Sequence, residues 1–268
     1  MNNIYIKSFL LLLIIYVGIT IVIYFYQRKL LYHPDFNSHV TGYGLNEKFE
    51  TINFKTSDNF TLKGWFHLKN LKKKTILFFH GNAGSLDNRI EKLNALSKLD
   101  INILIIAWRG YSSNPGKPTE AGLYKDAEAS IEWLISKGIS KDNIILYGES
   151  LGTAVAIHIG QFNKFAGIIL EAPFTSMVDM GKKYYPIFPV RLLLKDKFES
   201  KNKIKNLISP LLVMHGRKDN IVPFYMGENI FHLAKDPKFK YFTDNDDHMM
   251  DFTPDLVKSI EKFIQSLN

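Results

Sequence analysis

"NIILYGESLGTAVAIHIG", residues 143–160, decides the fold. An apolar run ends in Gly148-Glu149-Ser150-Leu151-Gly152 and gives way to small residues at helical spacing. A G-x-S-x-G pentapeptide alone is a weak signal, but at a strand-to-helix junction it has a mechanical meaning. A serine on that sharp turn holds a strained backbone, and glycines flank it because side chains there would collide across the turn. The turn lifts the hydroxyl off the sheet, and the helix N-terminus brings positive potential to where an oxyanion would form. Ser150 is therefore the candidate nucleophile; the bland alternative is a serine between two turn glycines.

Around this stretch, short apolar runs alternate with helix-length amphipathic segments. The runs are residues 75–80, 101–108, 143–148, 165–172, 210–215 and 240–244. Several are apolar on consecutive residues, as in parallel strands buried on both faces. Upstream, "KFETINFKT" and "FTLKGWFHLK" alternate about Ser57-Asp58-Asn59, the pattern of a β-hairpin. Residues 119–137 carry Leu123, Ala127, Ile131, Leu134 and Ile135 on one helical face, with Thr119 as N-cap. The last helix opens at Thr253-Pro254-Asp255. The expected architecture is a mostly parallel α/β sheet with helices on both faces. Residues 173–206, aromatic and basic with internal prolines, interrupt the alternation and are read as a cap-like insertion.

The first 33 residues stand apart. Ser8–Tyr26 is a run of nineteen residues without a charge, about the length that crosses a bilayer core as a helix. A secretory signal usually has a shorter apolar region and a small-residue cleavage site. Here the run ends in "YFYQRKLLYHP", where Tyr24, Phe25, Tyr26 and Tyr32 read as interfacial anchors. Residues 1–33 are expected to be an uncleaved anchor with a transmembrane helix over about 8–26, and residues 45–268 a catalytic domain. Lys7 precedes the span and Arg28 and Lys29 follow it, so charge leaves its orientation open.

The formal charge of the 268 residues is +8, and three of those positive charges lie in the first 33. The basic clusters near Lys73 and Lys195 lack the interleaved aromatics of a nucleic-acid module, so no nucleic acid is expected as a partner. A tethered domain resting on an anionic membrane surface accounts for the excess, as does a plain solvated lysine face. The absence of cysteine excludes disulfides, thiolate metal sites and cysteine nucleophiles.

A serine nucleophile needs a base, and the base an orienting acid. His248 sits in the polar stretch "TDNDDHMMDF", between the last strand and the last helix. Asp219 in "LLVMHGRKDNIVP" completes the chain order Ser, Asp, His. Glu171, at the end of the strand before "APFTS", is the alternative acid, whereas Asp246 and Asp247 are too near His248 in sequence to turn back onto its ring. His215 is read as shaping its turn and His80 as bracing its loop. The oxyanion would be held by the N–H groups of Leu151 and of Asn82 in "LFFHGNAGS". That loop matches neither phosphate-binding glycine pattern.

With "FFHGNAG" (78–84), "WRGYSSNPGKPTEAGLYKDAEA" (108–129), "LYGESLGT" (146–153), "EAPFTS" (171–176), "YYPIFPVRLLLKDKF" (184–198) and "HGRKDNIVP" (215–223) in order, the chain resembles the α/β-hydrolase superfamily from about residue 45 onward. It is similar in particular to the membrane-anchored subgroup that includes eukaryotic depalmitoylating or lipase-like proteins and their bacterial relatives. "QRKLLYHPD" after the span fits that subgroup too, while "SSNPG" lacks the glycines expected there. The resemblance implies Ser150 as nucleophile, Asp219 as acid, His248 as base, and Asn82 and Leu151 as oxyanion donors.

The expected function is a membrane-anchored serine hydrolase acting on carboxylic esters or thioesters of lipids or acylated proteins. Such chemistry calls for neither metal nor cofactor, and no obligate protein partner is evident. Met177, Met180, Tyr184, Tyr185, Ile187 and Phe188 are candidates to line or cover an acyl pocket. A membrane-bound serine peptidase would use the same triad, and a non-catalytic binding protein on the same fold is the remaining alternative.

Overall fold

The apolar runs resolve into one sheet of eight strands in the computed structural model, which describes residues 2–35 and 42–267. The termini of the two expected segments, Met1 and Asn268, lie outside the described residues. The strands are β1 (Glu50–Lys55), β2 (Thr61–His67), β3 (Thr75–Phe79), β4 (Asn102–Ile106), β5 (Ile144–Glu149), β6 (Gly167–Glu171), β7 (Leu211–Gly216) and β8 (Lys238–Thr243). They lie in the order β1-β2-β4-β3-β5-β6-β7-β8. The β1–β2 hairpin and the β2–β4 pair are antiparallel, and every other pairing is parallel.

Strands β3 to β7 are buried at every residue, which explains their lack of polar alternation. Successive side chains still point to opposite faces. Leu77, Leu104, Leu146, Leu170 and Val213 pack on one side; Phe78, Ile105, Tyr147, Ile169 and Met214 pack on the other.

The helices are α1 (Asn2–Leu31), α2 (Ile90–Leu96), α3 (Glu120–Ser136), α4 (Leu151–Gly160), α5 (Met177–Tyr184), α6 (Val190–Leu193), α7 (Ser200–Lys203), α8 (Phe224–Leu233) and α9 (Pro254–Gln265). Apolar stripes of α2 and α9 cover one face of the sheet, and those of α3, α4 and α8 the other. Ile135, expected on the α3 stripe, is instead 43% exposed. The predicted caps are present: the Thr119 hydroxyl accepts from the Gly122 N–H, and the Thr253 hydroxyl from the Leu256 N–H. Residues 173–206 hold α5, α6 and α7, three short helices in the connection between β6 and β7.

Helix α1 is longer than the expected 8–26. Over Ile4–Leu31 it is long and apolar enough to cross a membrane, with a mean hydropathy of 2.6 and none of its most apolar window buried in the protein. It continues through Gln27, Arg28 and Lys29 because its last turns dock on residues 193–196. Arg28 forms a two-pronged pair with Asp196 at 2.8 and 3.1 Å, and the Gln27 amide bonds the Leu193 carbonyl and the Lys195 N–H. Tyr32 is not an interfacial anchor: it is 4% exposed and packs in the core beside Trp108 and Tyr111.

Candidate active site

Strand β5 hands over to α4 through Ser150, whose backbone sits at φ 50° and ψ −112°, a left-handed region costly for a residue with a Cβ. Close packing keeps it there. A Cβ on Gly152 would lie 1.9 Å from the Phe79 carbonyl oxygen, and one on Gly148 would lie 2.5 Å from the Thr153 Cα. Both glycines of the pentapeptide are therefore demanded by contact. The Ser150 N–H donates to the Glu171 carbonyl at 2.9 Å, and the Ser150 carbonyl accepts from the Thr153 hydroxyl. The turn is pinned from both sides, leaving the hydroxyl free to face the loops above the sheet.

Three side chains from three loops converge there. His248 Nε2 lies 3.0 Å from Ser150 Oγ, and His248 Nδ1 lies 2.8 Å from Asp219 Oδ2. A carboxylate only accepts, so Nδ1–H donates to Asp219 and Nε2 is left to accept the serine hydroxyl proton. Asp219 is itself held by four donors. Its Oδ1 accepts the Ile221 and Val222 N–H groups at 2.9 and 2.7 Å, and its Oδ2 also accepts from His215 Nε2 at 3.0 Å. Burial opposes ionisation of Asp219, but the bonds from His215 and His248 outweigh it and hold its carboxyl well below the usual carboxylate range.

His215 shapes the turn as expected, and it does so by bonding the acid directly. Its Nδ1 is buried against Gly227 of α8 without a hydrogen-bond partner among the described residues. The rejected neighbours are occupied elsewhere: Asp246 accepts from the Thr243 hydroxyl, and Asp247 from the Met249 N–H.

The loop after β3 lies against the same turn, since a Cβ on Gly81 would meet the Ser150 Cβ at 3.5 Å. Neither the Asn82 N–H nor the Leu151 N–H is engaged by a hydrogen bond among the described residues. The rest of Asn82 is held firmly. Its carbonyl accepts from the His33 N–H at 2.9 Å and the Tyr111 hydroxyl at 2.8 Å, and its side-chain amide donates to the Leu31 carbonyl. His33 and Pro34 run parallel to Ala83 and Gly84, so the chain leaving α1 is zipped onto this loop. His80 is fully buried and braces the loop, with Nδ1 donating to the Gly81 carbonyl and burial lowering its pKa to about 3.

Glu171 does not reach His248. It belongs to a buried charge cluster on the other side of the elbow, which sequence reasoning missed. Glu149, the second residue of the pentapeptide, accepts from Arg89 and Lys92 at 2.6 Å each and from the Gly81 N–H at 3.1 Å. Lys92 also donates to Glu171 at 2.6 Å, and the Tyr147 hydroxyl donates to Glu171 at 2.7 Å. Burial opposes ionisation of Glu149, but the two cations outweigh it and depress its carboxyl. For Glu171 burial prevails, with Glu149 adding to it, and its carboxyl is raised. The only signal in the sequence was a charge at the end of an apolar strand.

The "SSNPG" departure also finds its reason. Ser112 and Ser113 occupy left-handed backbone at φ 49° and 64°, where glycine is the usual residue. The Ser112 hydroxyl accepts from the Leu86 N–H at 3.1 Å, a side-chain contact that glycine could not make. Of the candidate lining residues, Met177, Met180, Tyr184, Tyr185 and Phe188 border a cavity of about 450 Å³, whereas Ile187 is 70% exposed.

Comparison with known proteins identifies the fold. The profile of the alpha/beta hydrolase fold matches residues 74–203. The protein bem46 of Schizosaccharomyces pombe is 32% identical over 234 residues, covering 82% of this chain and 78% of that protein. The chain belongs to the α/β-hydrolase fold family. Another member, the uncharacterised protein Rv2307c of Mycobacterium tuberculosis, is 34% identical over 224 residues, covering 82% and 80% of the two chains. Human alpha/beta hydrolase domain-containing protein 17B is 34% identical over 173 residues, 62% of this chain and 57% of that protein. Among solved structures, the α/β-hydrolase fold recurs in the Pyrococcus furiosus esterase Pf2001, with a TM-score of 0.72, 21% identity, and coverage of 88% and 99%. The comparisons bear on the fold, and Ser150, Asp219 and His248 rest on the geometry.

Proposed function

We propose that this α/β-hydrolase is a membrane-anchored serine hydrolase of carboxylic esters or thioesters, with Ser150, His248 and Asp219 as its triad. The observation that carries the reading is the continuous chain from Ser150 Oγ through His248 to Asp219, at 3.0 and 2.8 Å. His248 takes the hydroxyl proton as Ser150 Oγ bonds to the acyl carbon, and ionised Asp219 stabilises the imidazolium. The Asn82 and Leu151 N–H groups hold the oxyanion. His248 then protonates the departing alcohol or thiol, and water attacks the acyl-enzyme by the same route in reverse.

Helix α1 is the anchor in this reading. The docking of its last turns through Gln27, Arg28 and Leu31 favours a retained helix over a cleaved signal, because cleavage would strip Asp196 and Asn82 of partners. Its unburied apolar surface needs a bilayer to cover it.

The test is labelling with a fluorophosphonate probe. The wild type labels, and Ser150→Ala and His248→Ala do not. Equal labelling of Ser150→Ala and wild type would overturn the assignment of the nucleophile.

A further inference from the structure

We infer that the anchor helix is itself a wall of the acyl-chain site, and that a single fatty-acyl ester or thioester reaches Ser150 sideways out of the bilayer. This rests on the serine-hydrolase reading and adds to it the substrate class and its route. The cavity of about 450 Å³ lies between α1 and the α5–α6 segment, within the range of ligand pockets. Ile23, Leu30 and Leu31 of α1 line one side, and Met180, Tyr185 and Leu193 the other. At its inner end is Asn82, whose N–H is a proposed oxyanion donor. One largely apolar space thus connects the apolar helix with the Asn82 loop beside the Ser150 turn.

Three of the polar side chains along this space are already occupied. The Gln27 amide bonds the Tyr24 and Leu193 carbonyls and the Lys195 N–H. The Tyr184 hydroxyl donates toward the Asn220 and Ile221 carbonyls, and the Asn82 amide donates to Leu31. What remains is a largely apolar lining suited to an unbranched hydrocarbon chain rather than to a peptide, most of whose amides would go unpaired.

Depth relative to the membrane follows from α1. The Tyr16 hydroxyl donates to the Ile187 carbonyl at 2.8 Å, and its ring stacks on Phe188. Tyr16 lies eight residues before Tyr24, about 12 Å along a helix axis. With Tyr24, Phe25 and Tyr26 at the headgroup level, the tip of the cap is immersed in the apolar layer. Ile187 and Leu192 are 70% and 84% exposed there, an apolar surface the bilayer would cover. Lys195 lies over the Tyr24 ring, and Arg28 pairs with Asp196, at the level of the headgroups. The cavity therefore opens beside hydrocarbon, and its occupant is the acyl chain of a glycerolipid or of a lipidated protein.

The experiment uses the full chain in phosphatidylcholine nanodiscs. The kcat/KM ratio for p-nitrophenyl palmitate over p-nitrophenyl butyrate is compared between wild type, Ile23→Trp and Met180→Trp, with Phe9→Trp as a control on an exposed part of α1. Filling the cavity from either wall lowers that ratio at least ten-fold, while Phe9→Trp leaves it at the wild-type value. An unchanged ratio in both cavity variants, with fluorophosphonate labelling of Ser150 intact, overturns the inference and leaves the serine-hydrolase reading standing. No labelling of the wild type overturns both. In the same discs, turnover of palmitoyl-lysophosphatidylcholine assigns a lipid source, and turnover of an S-palmitoylated peptide a protein source. Turnover of neither overturns the inference.

Discussion

Ser150 holds a backbone conformation that the surrounding atoms enforce, which makes the elbow sensitive to single atoms. Gly152→Ala places a methyl 1.9 Å from a strand carbonyl, so β3 and α4 must separate and the hydroxyl moves off line. Fluorophosphonate labelling of that variant is expected to fall to background even where circular dichroism retains the fold. Asp219 orients His248 through one carboxylate oxygen, and an amide there can present its N–H and impose the wrong tautomer. Asp219→Asn is expected to lower kcat by about 10⁴-fold with KM little changed. A loss below ten-fold would mean that the acid is elsewhere.

At the scale of elements, the buried cluster links α2, β5, β6 and the loop after β3 through Glu149. Removing one partner from a buried ion network leaves charge unpaired and costs about 3 kcal/mol or more. Glu149→Gln is expected to lower Tm by roughly 6–12 °C, measured by thermal unfolding in detergent. The same variant removes the charge that holds Arg89 and Lys92 against the Gly81 loop, and should lower kcat more than it alters KM. The sign of the pH dependence follows from the shifts. Glu149 and Asp219 ionise more readily folded than unfolded, so their contribution is present above about pH 4 and fades as the pH falls further. Glu171 has the opposite sign, because its raised carboxyl gains stability from protonation as the pH falls. Asp58 and Asp179 are also depressed and Asp126 is also raised, so among the described residues four depressed carboxyls stand against two raised ones. The wild-type Tm is therefore expected to drop as the pH falls from about 5 to about 3. Glu149→Gln flattens that drop, and an unchanged slope would remove Glu149 as its source.

At the scale of the molecule, helix and domain form one body. The apolar helix α1 docks through Arg28, Gln27 and Leu31, and its exit segment pairs with the loop that carries Asn82. The cysteine-free sequence allows clean single-site labelling. An environment-sensitive fluorophore on Ile187→Cys or Leu192→Cys is expected to report hydrocarbon in nanodiscs, whereas one on Lys137→Cys, across the domain, reports water. An aqueous signal at all three positions would place the cap outside the membrane.

The sheet, its caps and the elbow were legible in the sequence because each depends on neighbours within a few residues. Apolar runs declare strands buried on both faces, Thr119 and Thr253 declare helix starts, and Gly148-x-Ser150-x-Gly152 declares a turn too tight for side chains. Chain order also narrowed the acid to Asp219 or Glu171. The resemblance already favoured Asp219, and the fold supplies the geometry behind that preference. It turned Glu171 toward Lys92 and Tyr147, and Asp219 toward two histidines. The joining of α1 to the Asn82 loop was likewise invisible beforehand. His33 and Asn82 are far apart along the chain, and a backbone bond between them depends on no residue type that a sequence could advertise. Local sterics and hydrophobic periodicity are written residue by residue; convergence of distant side chains is decided by how the whole chain packs.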